Sequence, residues 1–465
     1  MEKPLSEPLS KRTALIVASL ASFLTPFMGS SISVSLPAIG TEFRMDAVLL
    51  GWVQTAYLLS SAALLVPIGR IADIRGRRKV FLYGVVLYTL SSLLAGLAVD
   101  VAVLIGARVL QGISGAMMFG VSIAILTSVY PLEERGAALG INTASVYIGL
   151  SLGPFIGGFL TQQIGWRSVF LVHVPLGLVM MLLVLLRLRR EWVEARGARF
   201  DLLGSGAYSV ALLLVLYGFS LLPSEAGCAC VAAGIAGLGG FFFWERRVES
   251  PIIDVNMFLR NRAFSFSNLA GLINYSATFA ITFLMSLYLQ YIQKLSPQQA
   301  GLVLIAQPIV MAAASPFAGK LSDRVEPRIV ASWGMGILVV GLLLFTLLGD
   351  GTPMAVIIAN LALVGLGFAL FSSPNTNAVM SSVDRSVYGV AAGALATMRT
   401  TGMALSLGIA TMILALFMGR VEIRPEVYPA LLQSIRVTFA VSALLCVGGV
   451  FASLARGSVR PAGGR

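Results

Sequence analysis

The stretch Gly69-Arg70-Ile71-Ala72-Asp73-Ile74-Arg75-Gly76-Arg77-Arg78-Lys79 joins two long apolar segments and carries five basic residues. A weaker copy, Gly319-Lys320-Leu321-Ser322-Asp323-Arg324-Val325-Glu326-Pro327-Arg328, recurs later in the chain, again between two apolar segments. A charged hairpin that repeats between membrane-sized segments indicates an internally duplicated membrane protein. This organisation is typical of transporters whose two halves are gated at one face.

The composition excludes an ordinary soluble protein. Of the 465 residues, 57% are hydrophobic and 12% are charged, and the mean hydropathy is +0.89. A helix needs about 20 apolar residues to cross a bilayer, and we predict fourteen such spans in an all-α polytopic membrane protein. They are expected at 14–39, 48–69, 80–99, 101–129, 137–161, 168–186, 202–222, 226–244, 263–289, 299–319, 329–349, 354–379, 389–418 and 431–455.

The distribution of lysine and arginine predicts the orientation of these spans. With a cytoplasmic N-terminus, most of the 33 basic residues fall in cytoplasmic loops and tails, as the positive-inside rule requires. The even number of spans then places both termini in the cytoplasm, and we expect a multi-pass protein of the plasma membrane. The net charge of +12 reflects basic clusters that would face anionic headgroups, so we expect no nucleic-acid binding.

The spans are predicted to group as six plus two plus six. Residues 1–190 are expected to form an N-terminal six-helix bundle and residues 251–465 a C-terminal one. Residues 191–250 then hold a basic linker and an apolar, glycine-rich two-helix insert. Small residues allow close helix packing in lipid, so the insert is expected to pack rather than to do chemistry.

Three motifs in order resemble the major facilitator superfamily, and specifically its fourteen-span drug:proton antiporter branch. The first is the hairpin loop, the second is Arg108-Val109-Leu110-Gln111-Gly112 in span four, and the third is Gly149-Leu150-Ser151-Leu152-Gly153-Pro154-Phe155-Ile156-Gly157-Gly158 in span five. The resemblance covers nearly the whole chain. It implies the major-facilitator fold, with two pseudo-symmetric six-helix bundles and alternating access to a site between them.

The hairpin residues are expected to form a gate. Gly76 permits a tight turn, and a carboxylate at Asp73 can meet the positive end of a neighbouring helix, a contact worth about 1–2 kcal/mol if partly buried. By resemblance that helix is span thirteen near Gly389, and by pseudo-symmetry Asp323 would meet span five near Gly136. The predicted gating residues are Gly69, Asp73, Gly76, Arg77, Arg78, Asp323 and Arg328; the alternative is that the charges only fix topology.

The glycines of the third motif share one helix face. Gly149, Gly153 and Gly157 recur at every fourth position, which lets another helix approach closely, and Pro154 removes a backbone hydrogen bond and bends the helix. In the resembled antiporters this segment, which here ends at Gly158, is associated with export and with sealing the outer half against leak. Ordinary glycine packing is the alternative.

The middle of the spans lacks carboxylates. Many relatives carry an aspartate in span one, where this chain has Met28. An embedded carboxylate is the usual proton carrier and counter-charge for cations, so its absence leaves both roles open. Arg108 and Arg399 are buried candidates for binding a substrate or tuning the cavity, with backbone carbonyls as the alternative partners. His173, the only histidine, titrates near neutral pH and is either a coupling group or a structural polar group.

Amide and phenol side chains within the spans are candidates for a central cavity. An amide in hydrocarbon needs a partner, so each of these side chains is expected to face either the cavity or another helix. The candidates are Gln54, Tyr57, Asn142, Asn274, Gln307, Asn375 and Asn377, with Met117, Met118, Phe119 and Phe279 around them.

These observations predict a secondary active exporter of lipophilic small molecules rather than an enzyme. Proton exchange is the expected energy source, because the sequence has no Gly-x-x-x-x-Gly-Lys nucleotide-binding loop. The alternatives are a facilitator or importer of an organic anion, held by Arg108 and Arg399, and a lipid transporter. We expect no cofactor and no metal. The expected partners are the substrate, protons and membrane lipids, and the expected state is a monomer.

Overall fold

The computed structural model describes residues 7–188, 190–222, 224–248, 252, 255–384 and 388–457. Within these residues, fourteen helices are long and apolar enough to cross a membrane, which confirms the predicted count and the all-α class. Spans one to six are Lys11–Phe43, Ala47–Arg75, Arg77–Gly96, Val101–Val129, Ala138–Gln163 and Arg167–Arg187. Spans seven and eight are Leu202–Leu221 and Glu225–Glu245. Spans nine to fourteen are Arg262–Ile292, Pro297–Ser322, Pro327–Phe345, Met354–Ser381, Val390–Met418 and Pro425–Ala455.

Short capped loops set several span ends. Asp46 caps span two by accepting a hydrogen bond of 2.8 Å from the Leu49 amide, and Asp100 caps span four in the same way. The hairpin between spans two and three is tighter than predicted. Gly76, at φ +116°, is the single residue between two helices, and Arg77 begins span three. The expected start of span three at residue 80 was therefore three residues late.

Helix packing repeats in the two halves of the chain. In the first half, span one packs on span five, span two on span four, and span three on spans four and six. In the second half, span nine packs on span thirteen, span ten on span twelve, and span eleven on spans twelve and fourteen. Each pair of spans in the first half corresponds to the pair eight spans later, because the two-span insert lies between the two sets of six. The hairpin repeat of the sequence is thus a repeat of the packing.

The two bundles meet along two seams that are related by the same repeat. Span two packs on span thirteen, and span five packs on span ten. The insert covers the first seam, because span seven contacts both span two and span thirteen. Ser209 donates a hydrogen bond of 2.8 Å to the Ala63 carbonyl, and Tyr217 packs edge-on against Trp52. The predicted packing role fits these contacts, and the exact boundaries at residues 190 and 250 stay predictions.

The molecule has two ends, which we name by their residues. The hairpin face is the end that holds Asp73 and Arg77. The far face is the opposite end, which holds Gln162 and Pro297.

Candidate functional site: an arginine between the two bundles

Arg399 lies where the two bundles meet, near the middle of span thirteen. Its guanidinium carbon is 5.4 Å from the ring centre of Tyr275 in span nine and 5.8 Å from that of Phe119 in span four. The hydroxyls of Tyr57 and Tyr147, both in the N-terminal bundle, lie within electrostatic range of the same charge. We call these five residues the central site. Both bundles contribute to it, so any movement between them changes it.

The Arg399 guanidinium has aromatic rings as its neighbours. Within the described parts of the chain, no hydrogen bond or ion pair to its side chain is present, and the residue is only partly buried. A cation over an aromatic ring gains about 0.5–2 kcal/mol, which is less than the cost of leaving an arginine unpaired inside a membrane. The N–H donors of Arg399 are therefore available to a ligand or to water.

Arg108 has a different environment, although the sequence placed it in the same group. It is 1% exposed, and its Nε donates to the Val53 carbonyl at 2.7 Å. One terminal nitrogen donates to Gln111 Oε1 at 2.7 Å, and the guanidinium stacks on the Tyr57 ring at 4.7 Å. Gln111 in turn donates to Ser92. These bonds tie spans two, three and four together, so Arg108 stabilises the N-terminal bundle. It contacts the central site through the Tyr57 ring.

Most of the predicted cavity amides also bond within one bundle. Gln54 donates to Ser33 at 2.7 Å, and Asn142 donates to Ser22 at 2.9 Å, so both join span one to a neighbour. In the C-terminal bundle, Asn375 donates to the Ser267 carbonyl at 3.1 Å. These three amides therefore serve helix packing.

The remaining polar candidates divide further. Asn377 donates to Ser322, which also joins helices of one bundle. Gln307 is partly buried, and its backbone packs closely against Gly365. Asn274 is fully buried, and neither side-chain atom has a hydrogen-bond partner within the described residues. Of the apolar candidates, Phe119 lies 5.8 Å from the Arg399 guanidinium, measured to its ring centre.

His173 is fully buried in the N-terminal bundle. Its Nδ1 lies 2.8 Å from the Val169 carbonyl, and its ring packs against Phe27 and Tyr88 at centroid distances of 5.2 and 5.9 Å. Its Nε2 has no partner within the described part of the chain. The ring joins spans one, three and six, and it lies apart from the central site.

Sequence reasoning missed two aromatic members of the central site and one buried cation. Tyr147 and Tyr275 were not selected, because aromatic residues within apolar segments usually serve packing. Arg456, which is 1% exposed, directly follows the last span and was counted with the cytoplasmic tail. It donates to Asn375 Oδ1 at 3.1 Å and to Ser453, so it braces the C-terminal bundle at the hairpin face.

The third motif closes the far face. A side chain at Gly149 or Gly157 would press on the backbone of span one, and one at Gly153 would overlap the Ser30 hydroxyl. On the opposite side of span five, a side chain at Gly158 would overlap the Pro297 carbonyl. These glycines let span five touch span one and span ten at once.

Span ten matches this contact with a glycine of its own. A Cβ at Gly301 would overlap the carbonyl of Pro154, so backbone meets backbone across the seam. A hydrogen bond also joins the bundles at the far face, because the backbone N–H of Gln298 donates to Gln162 Oε1 at 3.2 Å. Gln290 in span nine donates to the Val34 carbonyl of span one at 2.9 Å. The polar contacts between the bundles thus include several in the far half.

The hairpin halves of the helices at the seams are less crowded. A Cβ added at Gly69, Gly140 or Gly393, in spans two, five and thirteen, would meet nothing within 4 Å. Gly69 is the first residue of the predicted gating motif, and in this conformation no atom lies against the position of its missing side chain. The structure is therefore closed at the far face and more open towards the hairpin face.

The hairpin charges bind within their own bundle and the linker. Asp73 pairs with Arg77 at 2.7 Å, and Arg77 also donates to Ser128 and the Ala124 carbonyl of span four. The linker covers this turn, because Glu194 lies 3.3 Å from Arg77 and Glu191 accepts from the Arg78 amide at 2.8 Å. Arg78 also donates from its side chain to the Leu188 carbonyl.

The predicted contact between Asp73 and span thirteen belongs to a conformation in which the hairpin face is closed, and it stays a prediction. Residues 385–387, which precede span thirteen, lie outside the described residues, as does the Asp323 side chain. Arg328 occupies the first turn of span eleven, where its carbonyl accepts from Ser332 at 2.7 Å. The turn itself differs, since Val325 and Glu326 lie between the two helices where the first hairpin has Gly76 alone.

Two repeated six-helix bundles around a shared site, closed at one face, define a membrane transporter. Comparisons with known proteins agree with this class. The sequence profile of the Major Facilitator Superfamily matches residues 18–407 and 267–464. The chain belongs to the Major Facilitator Superfamily.

Three curated relatives match most of the chain. It is 29% identical to the riboflavin transporter RibZ of Clostridioides difficile, over 85% of this chain and 86% of the relative. It is 30% identical to the multidrug resistance protein Stp of Mycobacterium tuberculosis, over 86% and 75%. It is 32% identical to the cephamycin export protein CmcT of Amycolatopsis lactamdurans, over 87% and 85%. The relatives thus differ in what they are named for.

The fold also matches a solved structure. The crystal structure of a POT family transporter in complex with a thioalcohol-conjugated peptide has a TM-score of 0.70. The match covers 93% of this chain and 94% of the other, at 14% sequence identity, so it supports the fold alone.

Proposed function

We propose that this protein is a secondary active exporter of lipophilic small molecules, which works by alternating access and exchanges its substrate for protons. The observation that carries the proposal is the central site, which holds residues of both bundles beneath a closed far face. We assign the hairpin face to the cytoplasm by the positive-inside rule. Both termini are then cytoplasmic, and the protein acts as a monomer in the plasma membrane.

The proposed direction rests on span five. Its glycine face packs on span one and span ten and seals the far half, as expected for an exporter that must not leak inwards. Two of the three relatives are named for drug resistance or export, which supports the same direction. The relative named for riboflavin keeps the substrate class broad.

The proposed energy source is the proton gradient. The sequence has no phosphate-binding loop that would supply ATP hydrolysis. The test is transport of the fluorescent dye ethidium and of 8-anilinonaphthalene-1-sulfonate in proteoliposomes, with and without an imposed pH gradient. Proton antiport predicts accumulation of at least one dye above equilibrium, which collapses when nigericin dissipates the gradient. Protein-free liposomes are the control.

A second candidate function is a facilitator for an organic anion. The free guanidinium of Arg399 favours it, because that charge has no carboxylate partner within the described residues. Saturable, protein-dependent equilibration that ignores the pH gradient would support the facilitator and contradict antiport. The same proteoliposomes therefore separate the two functions.

A further inference from the structure

The charges around the central site have one sign. Arg399 is positive and has no ion-pair partner within the described residues, and Arg108 bonds only to neutral oxygens. Both guanidiniums act on Tyr57, since Arg108 stacks on its ring and the charge of Arg399 reaches its hydroxyl. The carboxylate of Asp73, at the hairpin end of span two, is already paired with Arg77. The potential at the central site is therefore positive.

The surroundings of Arg399 suit an aromatic acid. Phe119 and Tyr275 lie 5.8 and 5.4 Å from the guanidinium and come from opposite bundles. A guanidinium binds a carboxylate or sulfonate with two parallel hydrogen bonds. An aromatic group joined to that anion would then rest against the two rings that now hold Arg399.

A cationic substrate would meet the opposite conditions. It would have to enter beside Arg399 without a carboxylate to balance it, and like charges at this depth repel strongly because the surroundings screen them poorly. A neutral aromatic molecule would gain the stacking and lose the ion pair. The site thus favours an anion over a neutral molecule, and a neutral molecule over a cation.

We infer that the substrate of this transporter is a planar aromatic organic anion whose acid group binds Arg399 between Phe119 and Tyr275. The inference rests on the proposed function, because it names the substrate class of that same site. It concerns binding alone, so it can fail or succeed independently of proton coupling and direction.

The test uses two probes that differ by one acid group. The anion 8-anilinonaphthalene-1-sulfonate and the neutral N-phenyl-1-naphthylamine share the same aromatic skeleton. Their saturable binding to the purified full chain in nanodiscs is measured by fluorescence at pH 7. The proteins are the wild type, Arg399→Gln, Arg399→Lys and Arg420→Gln. Arg420 is an exposed arginine outside the central site, so it controls for the chemical change itself.

We expect the wild type to bind the sulfonate at least about 10-fold more tightly than the neutral probe. Arg399→Gln should weaken sulfonate binding by about 10-fold or more and change neutral binding by less than about 2-fold. Arg399→Lys keeps the charge but loses the two parallel hydrogen bonds, so it should weaken sulfonate binding less than Arg399→Gln does. Arg420→Gln should change neither.

Three results would overturn the inference. The first is the absence of saturable sulfonate binding to the wild type, and the second is equal affinity for the two probes. The third is an equal loss of both probes in Arg399→Gln with Arg399→Lys no better, which would show a purely structural arginine. Selective sulfonate binding without gradient-driven transport would instead leave the inference standing and contradict the proposed function.

Discussion

Arg108 and Arg399 are two arginines within the membrane that the sequence alone does not tell apart. The structure separates them. Arg108 is 1% exposed and donates to Val53 and Gln111 inside one bundle. Arg399 is partly buried between the bundles, lies over the rings of Phe119 and Tyr275, and has no hydrogen bond or ion pair within the described residues. The difference teaches that a buried charge that hydrogen-bonds within one bundle serves the fold, whereas one with free donors at a moving seam serves the substrate.

The largest expected effect is on the stability of the N-terminal bundle. Arg108→Gln should remove the donors of the Val53 carbonyl and of Gln111 Oε1, and an unsatisfied buried acceptor costs about 1–3 kcal/mol. We expect a loss of about 2–4 kcal/mol, read as a fall in the thermal unfolding midpoint in detergent. The matched change Arg399→Gln should cost less than about 1 kcal/mol. Equal losses in the two variants would remove the distinction between them.

The second-largest effect is expected on transport, from a change at the far face. The far face must be closed if Arg399 is to be accessible from one side of the membrane only. Gly301→Ala should place a methyl group onto the Pro154 carbonyl and hold the two bundles apart. Gradient-driven accumulation of the transported dye should fall about 10-fold, because a changed seam at this site alters gating. Gly140→Ala is the matched control, since nothing lies within 4 Å of its added methyl, and it should stay within about 2-fold. An unaffected Gly301→Ala would contradict the role of this contact.

The smallest effect is expected at His173, the third ionisable candidate that the sequence suggests for coupling or binding. The ring is fully buried between Phe27 and Tyr88 of the N-terminal bundle, so we expect it not to contact the transported molecule. His173→Asn should therefore keep gradient-driven transport within about 2-fold, measured in the proteoliposome assay. Loss of the response to the pH gradient, with facilitated equilibration retained, would instead identify His173 as the coupling group.

The sequence predicts the fold well because its signals are local. Each span is a long apolar run, and the charged hairpin and its copy mark the duplication directly. The motif glycines also predict their own packing, since Gly149, Gly153 and Gly157 face span one as their spacing requires. These features depend only on residues close together in the chain.

The candidate site is harder to predict because it depends on contacts between distant segments. The spacing of Asn142 and Asn375 shows that they are buried, and does not show that Ser22 and Arg456 bond to them. Arg456 lies one residue past the last span, so its burial is invisible to hydropathy. The linker glutamates on the hairpin charges come from more than a hundred residues away. The helical periodicity of the sequence predicts which residues share one face of a helix. It does not predict which face packs against the other bundle.

The central claim is that the positive charge at position 399, unlike that at 108, contacts the transported molecule. The direct test is charge restoration in Arg399→Cys, made in a variant whose Cys228, Cys230 and Cys446 are replaced by serine. Treatment with aminoethyl methanethiosulfonate adds a positive charge, and methyl methanethiosulfonate adds a neutral group of smaller size. We predict that 8-anilinonaphthalene-1-sulfonate binding is lost in the untreated variant, returns to within about 5-fold of wild type with the charged reagent, and stays lost with the neutral one. Equal binding after both reagents would contradict the claim.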